Sequence, residues 1–265
     1  MAFAQIYNQT IALNTRGTDY VIGDVHGHPA RIEQALASVG FNPQRDRLFC
    51  LGDLIDRGRD SLGVLAYLDQ PWFYAVRGNH EQMLINRFRY PIVHPFHANK
   101  TQPSAMKLHA KNGGAWFDAL VEEDDQQAVY QRCAGLALSI TLASPWGTIG
   151  LVHAEVPRTC DDWNQFVSQL PKDEALREQS LWSRWFVGDV YDIEQQCYLA
   201  QPIDAPRYLG GVVACVHGHT AVRQPVVNGN QIWIDTAHLS GQLSILSIRN
   251  VIEQIQLAAL KQEHK

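Results

Sequence analysis

Three short stretches in the first third of the chain place acidic, imidazole and carboxamide side chains beside glycines. They are "GDVHG" with Asp24 and His26, "GDLIDRG" with Asp53, Asp56 and Arg57, and "RGNHE" with Arg77, Asn79 and His80. Mixed oxygen and nitrogen donors of this kind suit manganese, iron or zinc better than calcium. The three stretches therefore predict a site that binds divalent metal ions.

A second ion would extend the chemistry of such a site. A carboxylate at Asp53 that bridged two ions about 3.5–4 Å apart would help to stabilise the attacking and leaving oxygens of a phosphoryl displacement. Two ions need further donors, and "GLVHAE" and "VHGHT" provide His153 and His219 later in the chain. This donor set is compatible with a two-metal site for phosphoryl chemistry.

The elements around the three stretches indicate how their side chains could meet. The apolar runs "DYVIGD", "DRLFCLGD" and "WFYAVRG" alternate with the helical patterns "PARIEQALASVG", "SLGVLAYLDQ" and "EQMLINRFRY". This alternation predicts parallel strands that are joined by right-handed crossovers. Because the carboxyl ends of parallel strands share one edge of a sheet, the three polar stretches should converge there.

The rest of the chain is predicted to contain an insertion and a second set of strands. "YPIVHPFHANKTQP" has three prolines, which predicts a long loop over Tyr90–Pro103, with helices around Met106–Leu120 and Glu123–Cys133 after it. Later strands are predicted in "LALSITLA", "TIGLVHA", "VVACVHG", "QIWIDTA" and "LSILSI". Because no linker or repeat interrupts the chain, we expect one domain over 1–265, with a less regular helical and loop insertion around 90–135.

The composition argues against several classes of protein. Hydrophobic residues make up 46% and charged residues 18% of the 265 residues, which is typical of a soluble globular protein. The formal net charge of -5 gives no general attraction to nucleic acid or to an anionic membrane, so neither is expected as a partner. Five scattered cysteines without a Cys-x-x-Cys pair, no signal-peptide pattern and no apolar run of membrane length favour the cytoplasm.

Taken in order, the polar stretches resemble a known family. "GDVHG", "GDLIDRG" and "RGNHE", followed by the single histidines of "VHAE" and "GHT", are similar to the motifs of the PPP family of metallophosphoesterases, especially its small bacterial and phage serine/threonine protein phosphatases. The resemblance implies the calcineurin-like metallophosphoesterase fold of the α/β class, a central β-sandwich with βαβ units flanked by helices. It also implies a metal-dependent phosphoprotein phosphatase, a hydrolase that acts on phosphoproteins or phosphopeptides.

The family pattern implies a role for each matching residue. Its two divalent metal ions, manganese with iron or zinc as alternatives, would be bound by Asp24, His26 and Asp53, and by Asp53, Asn79, His153 and His219. A metal-bridging hydroxide would attack phosphorus in line. The phosphate would be bound by Asn79, Arg57, Arg77 and, as a looser match in "SLWSRW", Arg184. His80 would protonate the leaving group, and Asp56 would hold the imidazole of His80.

Two alternatives stay open at this point. Other metallophosphoesterases use both histidines of an "HGH" motif, which would add His217 to the site, whereas the PPP pattern needs only His219 and is favoured here. Symmetrical diadenosine tetraphosphatases share much of the pattern, but they typically show Ala at the position of Asp56 and Asp at that of Glu81. Phosphoserine and phosphothreonine are therefore the favoured substrates, with phosphotyrosine left open.

Several other polar residues receive structural interpretations. The histidines at 28, 94, 97, 109 and 264 are interpreted as solvated or capping residues, because loops and helix surfaces often carry histidines. Asp235, in "IDTAHLSG", is interpreted as structural. No Cys-x5-Arg motif occurs, which argues against a cysteine-based phosphatase.

Overall fold

The computed structural model describes residues 5–89, 105–192, 197–202 and 206–263. The strands in this part of the chain are β1 (Asn8–Ile11), β2 (Asp19–Ile22), β3 (Arg47–Cys50), β4 (Phe73–Ala75), β5 (Ser139–Ser144), β6 (Gly147–Val152), β7 (Val187–Asp192), β8 (Cys197–Pro202), β9 (Ala214–His217), β10 (Val226–Asn228), β11 (Gln231–Trp233) and β12 (Ile245–Ser247). The α-helices are α1 (Pro29–Ser38), α2 (Ser61–Leu65), α3 (Asn79–Arg89), α4 (Ala105–Lys111), α5 (Glu123–Ala134), α6 (Trp163–Gln169), α7 (Glu174–Trp182), α8 (Ala237–Ser240) and α9 (Ile248–Glu263). Short 3-10 helices cover Ala66–Asp69 and Gly114–Ala119.

Strands β2, β3 and β4 lie side by side and parallel, as the sequence predicts. Their register aligns Ile22 with Cys50 and Cys50 with Ala75, so the three strands end level with one another. The three polar stretches follow these ends and therefore share one edge of the sheet. β12 pairs antiparallel with β2 and completes a four-stranded sheet in the order β12-β2-β3-β4.

A second sheet of six strands has the order β1-β5-β6-β9-β11-β10. Its strands β6 and β9 are parallel, with Leu151 aligned to Val216, and the histidines at 153 and 219 follow their carboxyl ends. The five late strands predicted from the sequence are confirmed as β5, β6, β9, β11 and β12. The outer strands β1 and β10 were not predicted, because β1 (NQTI) is mostly polar and β10 (VVN) offers only two apolar residues before a turn.

The two sheets pack face to face around a buried apolar core. Val21, Phe49 and Leu51 of the first sheet and the loop after it belong to one cluster with Leu151 and Val216 of the second, and all five side chains are fully buried. Burial of each contributes about 1.5–3 kcal/mol. Helices α1, α2, α3 and α5 pack on the outer face of the four-stranded sheet, and α6 and α7 pack on that of the six-stranded sheet. This sandwich with flanking helices confirms the predicted fold class.

The insertion is described only in its second part. The predicted loop Tyr90–Pro103 lies outside the described residues. The sequence predicts one helix over Met106–Leu120, but α4 ends at Lys111, because Gly113 adopts a left-handed φ of 98° and starts a separate 3-10 helix. The helix predicted at Glu123–Cys133 is confirmed as α5. None of the helices in the described part of the chain is long and apolar enough to cross a membrane.

Candidate metal centre

The backbone around the predicted site is strained. In the described part of the chain, the non-glycine residues with positive φ are His26, Asp53, Asp56, Arg57 and His219, with values from 48° to 71°. Residues with a side chain rarely adopt this left-handed region, because Cβ crowds the neighbouring backbone. All five are predicted site residues, so the strain is concentrated in the turns that aim these side chains.

One group of donor atoms forms around Asn79. Its Oδ1 lies 2.9 Å from Nε2 of His153 and 3.1 Å from Nδ1 of His219. The same Nε2 of His153 lies 3.5 Å from Oδ1 of Asp53. The ligand atoms of Asp53, His153 and His219 lie within 4.8 Å of one another, close enough to hold one metal ion. The structure thus brings together the four residues that the sequence assigns to the second metal.

A second group of donor atoms forms on the other side of Asp53. Its Oδ2 lies 3.7 Å from Nε2 of His26 and 3.8 Å from Nε2 of His80. These three residues also offer ligand atoms within 4.8 Å of one another. Asp53 therefore belongs to both groups, one through each carboxylate oxygen, and His80 lies within reach of the same metal position as His26.

Asp24 is buried beside His153 and His219. The family pattern implies that Asp24 binds a metal together with His26 and Asp53, and in the structure its carboxylate accepts the backbone N–H of His219, at 3.1 Å and 3.2 Å. Oδ1 of Asp24 lies 4.0 Å from Nδ1 of His153. Asp24 is buried at the site, and its role as a metal ligand stays a prediction.

Backbone carbonyls set the orientation of two imidazoles. Nδ1 of His153 donates to the Leu51 carbonyl at 2.6 Å, and Nδ1 of His26 donates to the Ile55 carbonyl at 3.1 Å. A carbonyl can only accept, so in each neutral ring the proton lies on Nδ1 and the lone pair on Nε2. Both lone pairs face the donor groups, which is the arrangement of a histidine that ligates a metal.

Burial also sets the protonation of the donors. Burial, reinforced by the carboxylates of Asp235 and Asp53, raises the pKa of Asp24 well above its usual range. Burial lowers the pKa of three imidazoles, those of His26, His153 and His219, so these rings are neutral near pH 7. Neutral imidazoles can bind a divalent cation, and the cation would relieve the repulsion among the carboxylates. The donor set therefore fits metal binding.

Asp56 and His80 form a hydrogen-bonded pair beside these groups. Nδ1 of His80 lies 2.7 Å from Oδ2 of Asp56, and both side chains are buried. The Arg57 guanidinium, which is exposed, places Nη1 2.9 Å from Nε2 of His26 and Nη2 3.1 Å from Nε2 of His80. An arginine that reaches both donor groups from the solvent side is well placed to contact a bound phosphate.

The comparison with known families agrees with this geometry. The chain matches the family model described as "Calcineurin-like phosphoesterase" over residues 20–223, a span that contains every predicted site residue. The protein belongs to the calcineurin-like phosphoesterase family.

The relatives that match this chain include protein phosphatases and nucleotide tetraphosphatases. "Serine/threonine-protein phosphatase 1" of Salmonella typhimurium is 33% identical over 251 residues, which cover 92% of this chain and 98% of the relative. The "Bis(5'-nucleosyl)-tetraphosphatase, symmetrical" of Serratia proteamaculans is 46% identical over 68 residues, 25% of this chain and 24% of the relative. The family match and the nearly full-length relative make this phosphoesterase a metal-dependent phosphatase.

A solved structure shows the same fold. The crystal structure of a cold-active protein-tyrosine phosphatase from a psychrophilic Shewanella superposes with a TM-score of 0.52, at 16% sequence identity. The match covers 91% of this chain and 78% of the other. At this level of identity the likeness concerns the calcineurin-like fold alone.

The two remaining arginines of the phosphoesterase pattern differ in position. Arg77 is buried, and Nη2 of its guanidinium donates to the Ala134 and Leu136 carbonyls, at 2.7 Å and 3.0 Å, near the end of α5. These hydrogen bonds indicate a structural role for Arg77. The phosphate contact that the family pattern implies stays a prediction. Burial and, after it, the positive charge of Arg184 lower the pKa of His219, so this guanidinium acts on one of the donor groups.

Two buried acids outside the predicted site support its loops. Glu81 accepts four backbone N–H groups, those of Asp53, Leu54, Ile55 and Gly78 at 2.8–3.2 Å, and so joins the loops after β3 and β4. Glu155 accepts the N–H groups of Trp185 and Phe186 at 2.7 Å and 2.9 Å, which holds the segment that carries Arg184. Glu81, one residue after His80, and Glu155, two residues after His153, were visible in the sequence, but their hydrogen-bond partners were not.

His109 and His217 are two further histidines whose side chains are fully buried. The interpretation of His109 as a solvated or capping residue is wrong, because its imidazole is fully buried, with Nε2 3.0 Å from Oδ1 of Asp56. His217 stacks on Trp233 with ring centroids 4.6 Å apart, and the donor groups within the described residues contain His219 and not His217. Burial lowers the pKa of His217 to about 3.

Proposed function

We propose that this phosphoesterase hydrolyses phosphoserine and phosphothreonine in proteins with the help of two divalent metal ions, manganese in the first instance. The observation that carries the proposal is the shared carboxylate of Asp53, which joins two donor groups directly beside the Asp56–His80 pair. A site of this kind combines the means to activate water with a group that can protonate a leaving oxygen.

The residues would divide the work as follows from their positions. The donor groups on either side of Asp53, with Asp24 and Asn79, would hold the ions, which supply charge neutralisation and activation of water when bound. Arg57 and Arg184, which follows α7, would bind the phosphate oxygens that point to solvent. His80 would give its proton to the leaving serine or threonine oxygen, and Asp56 would keep the imidazole in the required orientation.

Two positions support a protein substrate. Tetraphosphatases of the symmetrical class typically have Ala where this chain has Asp56 and Asp where it has Glu81. Here Asp56 bonds to His80, and the longer Glu81 reaches four N–H groups on two loops. The relative named serine/threonine-protein phosphatase 1 matches almost its whole length, whereas the tetraphosphatase match covers about a quarter of either protein.

A dinucleotide polyphosphate is the second candidate substrate. The 46% identity over 68 residues with a symmetrical tetraphosphatase favours it, and so do the exposed arginines Arg57 and Arg59 after β3. A polyphosphate chain could contact both guanidinium groups, whereas a phosphomonoester would contact one.

One experiment separates the two candidates. The protein is treated with a chelator and reloaded with manganese, and kcat/KM is measured for phosphoserine, phosphothreonine and phosphotyrosine peptides and for diadenosine tetraphosphate. We expect the phosphoserine or phosphothreonine peptides to be the best substrates. A strong preference for the dinucleotide would overturn the proposal in favour of the second candidate.

We further propose a single domain over 1–265 and a cytoplasmic location. Four cysteines within the described residues, those at 50, 133, 160 and 215, are buried free thiols, which supports a reducing compartment. The partners would be phosphoproteins or phosphopeptides, without nucleic acid or membrane.

A further inference from the structure

Asp56 accepts hydrogen bonds from two side chains that lie outside the family motifs. Its Oδ2 pairs with Nδ1 of His80 at 2.7 Å, whereas its Oδ1 lies 3.0 Å from Nε2 of His109 and 2.7 Å from Nε1 of Trp116. His109 belongs to α4 and Trp116 to the 3-10 helix that follows. Both oxygens of this fully buried carboxylate are therefore occupied by donors.

The direction of these hydrogen bonds follows from the chemistry of the groups. Nη1 of Arg87 lies 3.5 Å from Nδ1 of His109, and a guanidinium can only donate. Nδ1 therefore accepts, and Nε2 of the neutral ring carries the proton that is donated to Asp56. The indole of Trp116 has a donor and no acceptor. Arg87 is itself paired with Asp118, so the arrangement extends from the surface to His80.

Two glycines allow this segment to reach Asp56. The backbone N–H of Arg57 donates to the Gly113 carbonyl at 3.3 Å. A Cβ on Gly113 would lie 2.6 Å from the Arg57 nitrogen, and one on Gly114 would lie 2.2 Å from Nε2 of His109. Glycine is therefore required at both positions, and the segment docks directly on the strained turn of Asp56 and Arg57.

We propose that His109 and Trp116 are positioning residues for the proton donor His80. They fix Oδ1 of Asp56, so that Oδ2 holds Nδ1 of His80 and its Nε2 faces the leaving oxygen. The inference rests on the proposed function, in which His80 protonates that oxygen. A merely structural role would slow all substrates alike, whereas a positioning role slows most the substrates whose leaving group needs a proton.

The test compares two leaving groups in the manganese-loaded protein. kcat is measured for a phosphothreonine peptide, whose threonine oxygen must be protonated to leave as an alcohol. It is also measured for p-nitrophenyl phosphate, whose p-nitrophenolate leaves without protonation. We expect His109→Leu to lower the peptide-to-aryl ratio of kcat about tenfold or more, because small misplacements of catalytic groups have effects of this size. Trp116→Phe should lower the ratio less. His109→Gln keeps an N–H donor and should recover most of the ratio.

Val129→Ala is the matched control. Val129 is buried in α5 of the same helical region and belongs to the core beneath it. Its truncation should lower the melting temperature without changing the ratio of kcat values. If Val129→Ala changed the ratio as much as His109→Leu, the effect would be general destabilisation and the inference would be overturned.

His80→Ala, measured in parallel, separates the inference from the function it rests on. If His80→Ala changes the ratio and His109→Leu does not, the positioning role is wrong and the proposed function stands. If His80→Ala leaves the ratio unchanged, the proton-donor role fails, and the positioning role fails with it. A manganese content equal to that of the wild type in His109→Leu would support an effect on the proton donor.

Discussion

Oδ1 of Asp53 lies 3.5 Å from Nε2 of His153. Its other oxygen faces His26 and His80, so a single carboxylate stands between the two donor groups. Burial raises the pKa of Asp53, but the positive charges that His153, His80 and His26 carry when protonated in acid, together with the backbone N–H of His80, outweigh burial and hold that pKa below its usual value. Asp53 is therefore ionised, as a bridging ligand must be.

Asp53→Asn should lose metal binding at both positions. The amide keeps the size of the side chain but removes the charge that both groups share. We expect manganese affinity to fall by at least about 100-fold and turnover to fall with it. Manganese content after dialysis, measured by atomic absorption, gives the first readout. Asp60→Asn, an exposed carboxylate that caps α2, is the matched control and should keep its metal. A full manganese complement in Asp53→Asn would contradict the shared role.

His80→Ala should keep both ions and lose turnover on poor leaving groups. General acid catalysis contributes about 10²–10⁴-fold, so hydrolysis of a phosphoserine peptide should fall by that order, and that of p-nitrophenyl phosphate by much less. The metal content is decisive here, because Nε2 of His80 lies 3.8 Å from Oδ2 of Asp53, within one of the donor groups. Loss of an ion in this variant would show that His80 is a ligand and not a proton donor.

The order of strands and polar stretches made much of the site predictable. Three βαβ-type patterns were sufficient to bring Asp24, Asp53 and Asn79 to one edge, because parallel strands leave no other arrangement. The six-stranded sheet was predicted in part, since its outer strands β1 and β10 contain too few apolar residues to be recognised. No prediction was made for α6, α7 and α9, which pack on the completed sheets, or for the antiparallel strands β7 and β8.

The support of the site was not predictable from spacing. His109 lies 53 residues after Asp56 and within a weakly patterned helix, so its contact arises only from the docking of the insertion. The four N–H groups that Glu81 accepts lie on two loops whose approach is a tertiary event. Motif residues can be recognised in the sequence by their type and order, whereas the residues that support them can be recognised only from contacts in the folded structure.

Substitution of Arg77 should affect stability, whereas substitution of Arg57 should affect substrate binding. Arg77→Lys replaces a buried guanidinium that donates to two carbonyls and should lower the free energy of unfolding by about 2–4 kcal/mol. Arg57→Lys changes an exposed group and should raise KM with little effect on stability. Urea unfolding and steady-state kinetics on both variants provide the measurement. A raised KM in Arg77→Lys at unchanged stability would instead support the phosphate contact that the family pattern implies.

Asp235→Asn should remove a pH dependence from the stability of the metal-free protein. Burial raises the pKa of Asp235 to about 7. Between about pH 4 and 7 its carboxyl is protonated in the folded chain and ionised in the unfolded chain. The stabilisation is therefore complete below about pH 4 and is lost as the pH rises through 7. Asn cannot titrate and keeps the shape of the side chain.

The expected difference is largest in alkaline solution. In the chelated protein at pH 8, Asp235→Asn should unfold at a temperature several degrees above the wild type, since a buried charge is removed. At pH 4 and below, where the wild-type carboxyl is protonated in the folded chain and largely protonated in the unfolded chain, the two melting temperatures should nearly coincide. Asp161→Asn, an exposed carboxylate, serves as the control and should show no such divergence. If the melting temperatures of the wild type and Asp235→Asn differed by the same amount at both pH values, Asp235 would not titrate in this range. The folded protein would then tolerate the ionised carboxylate even without a metal.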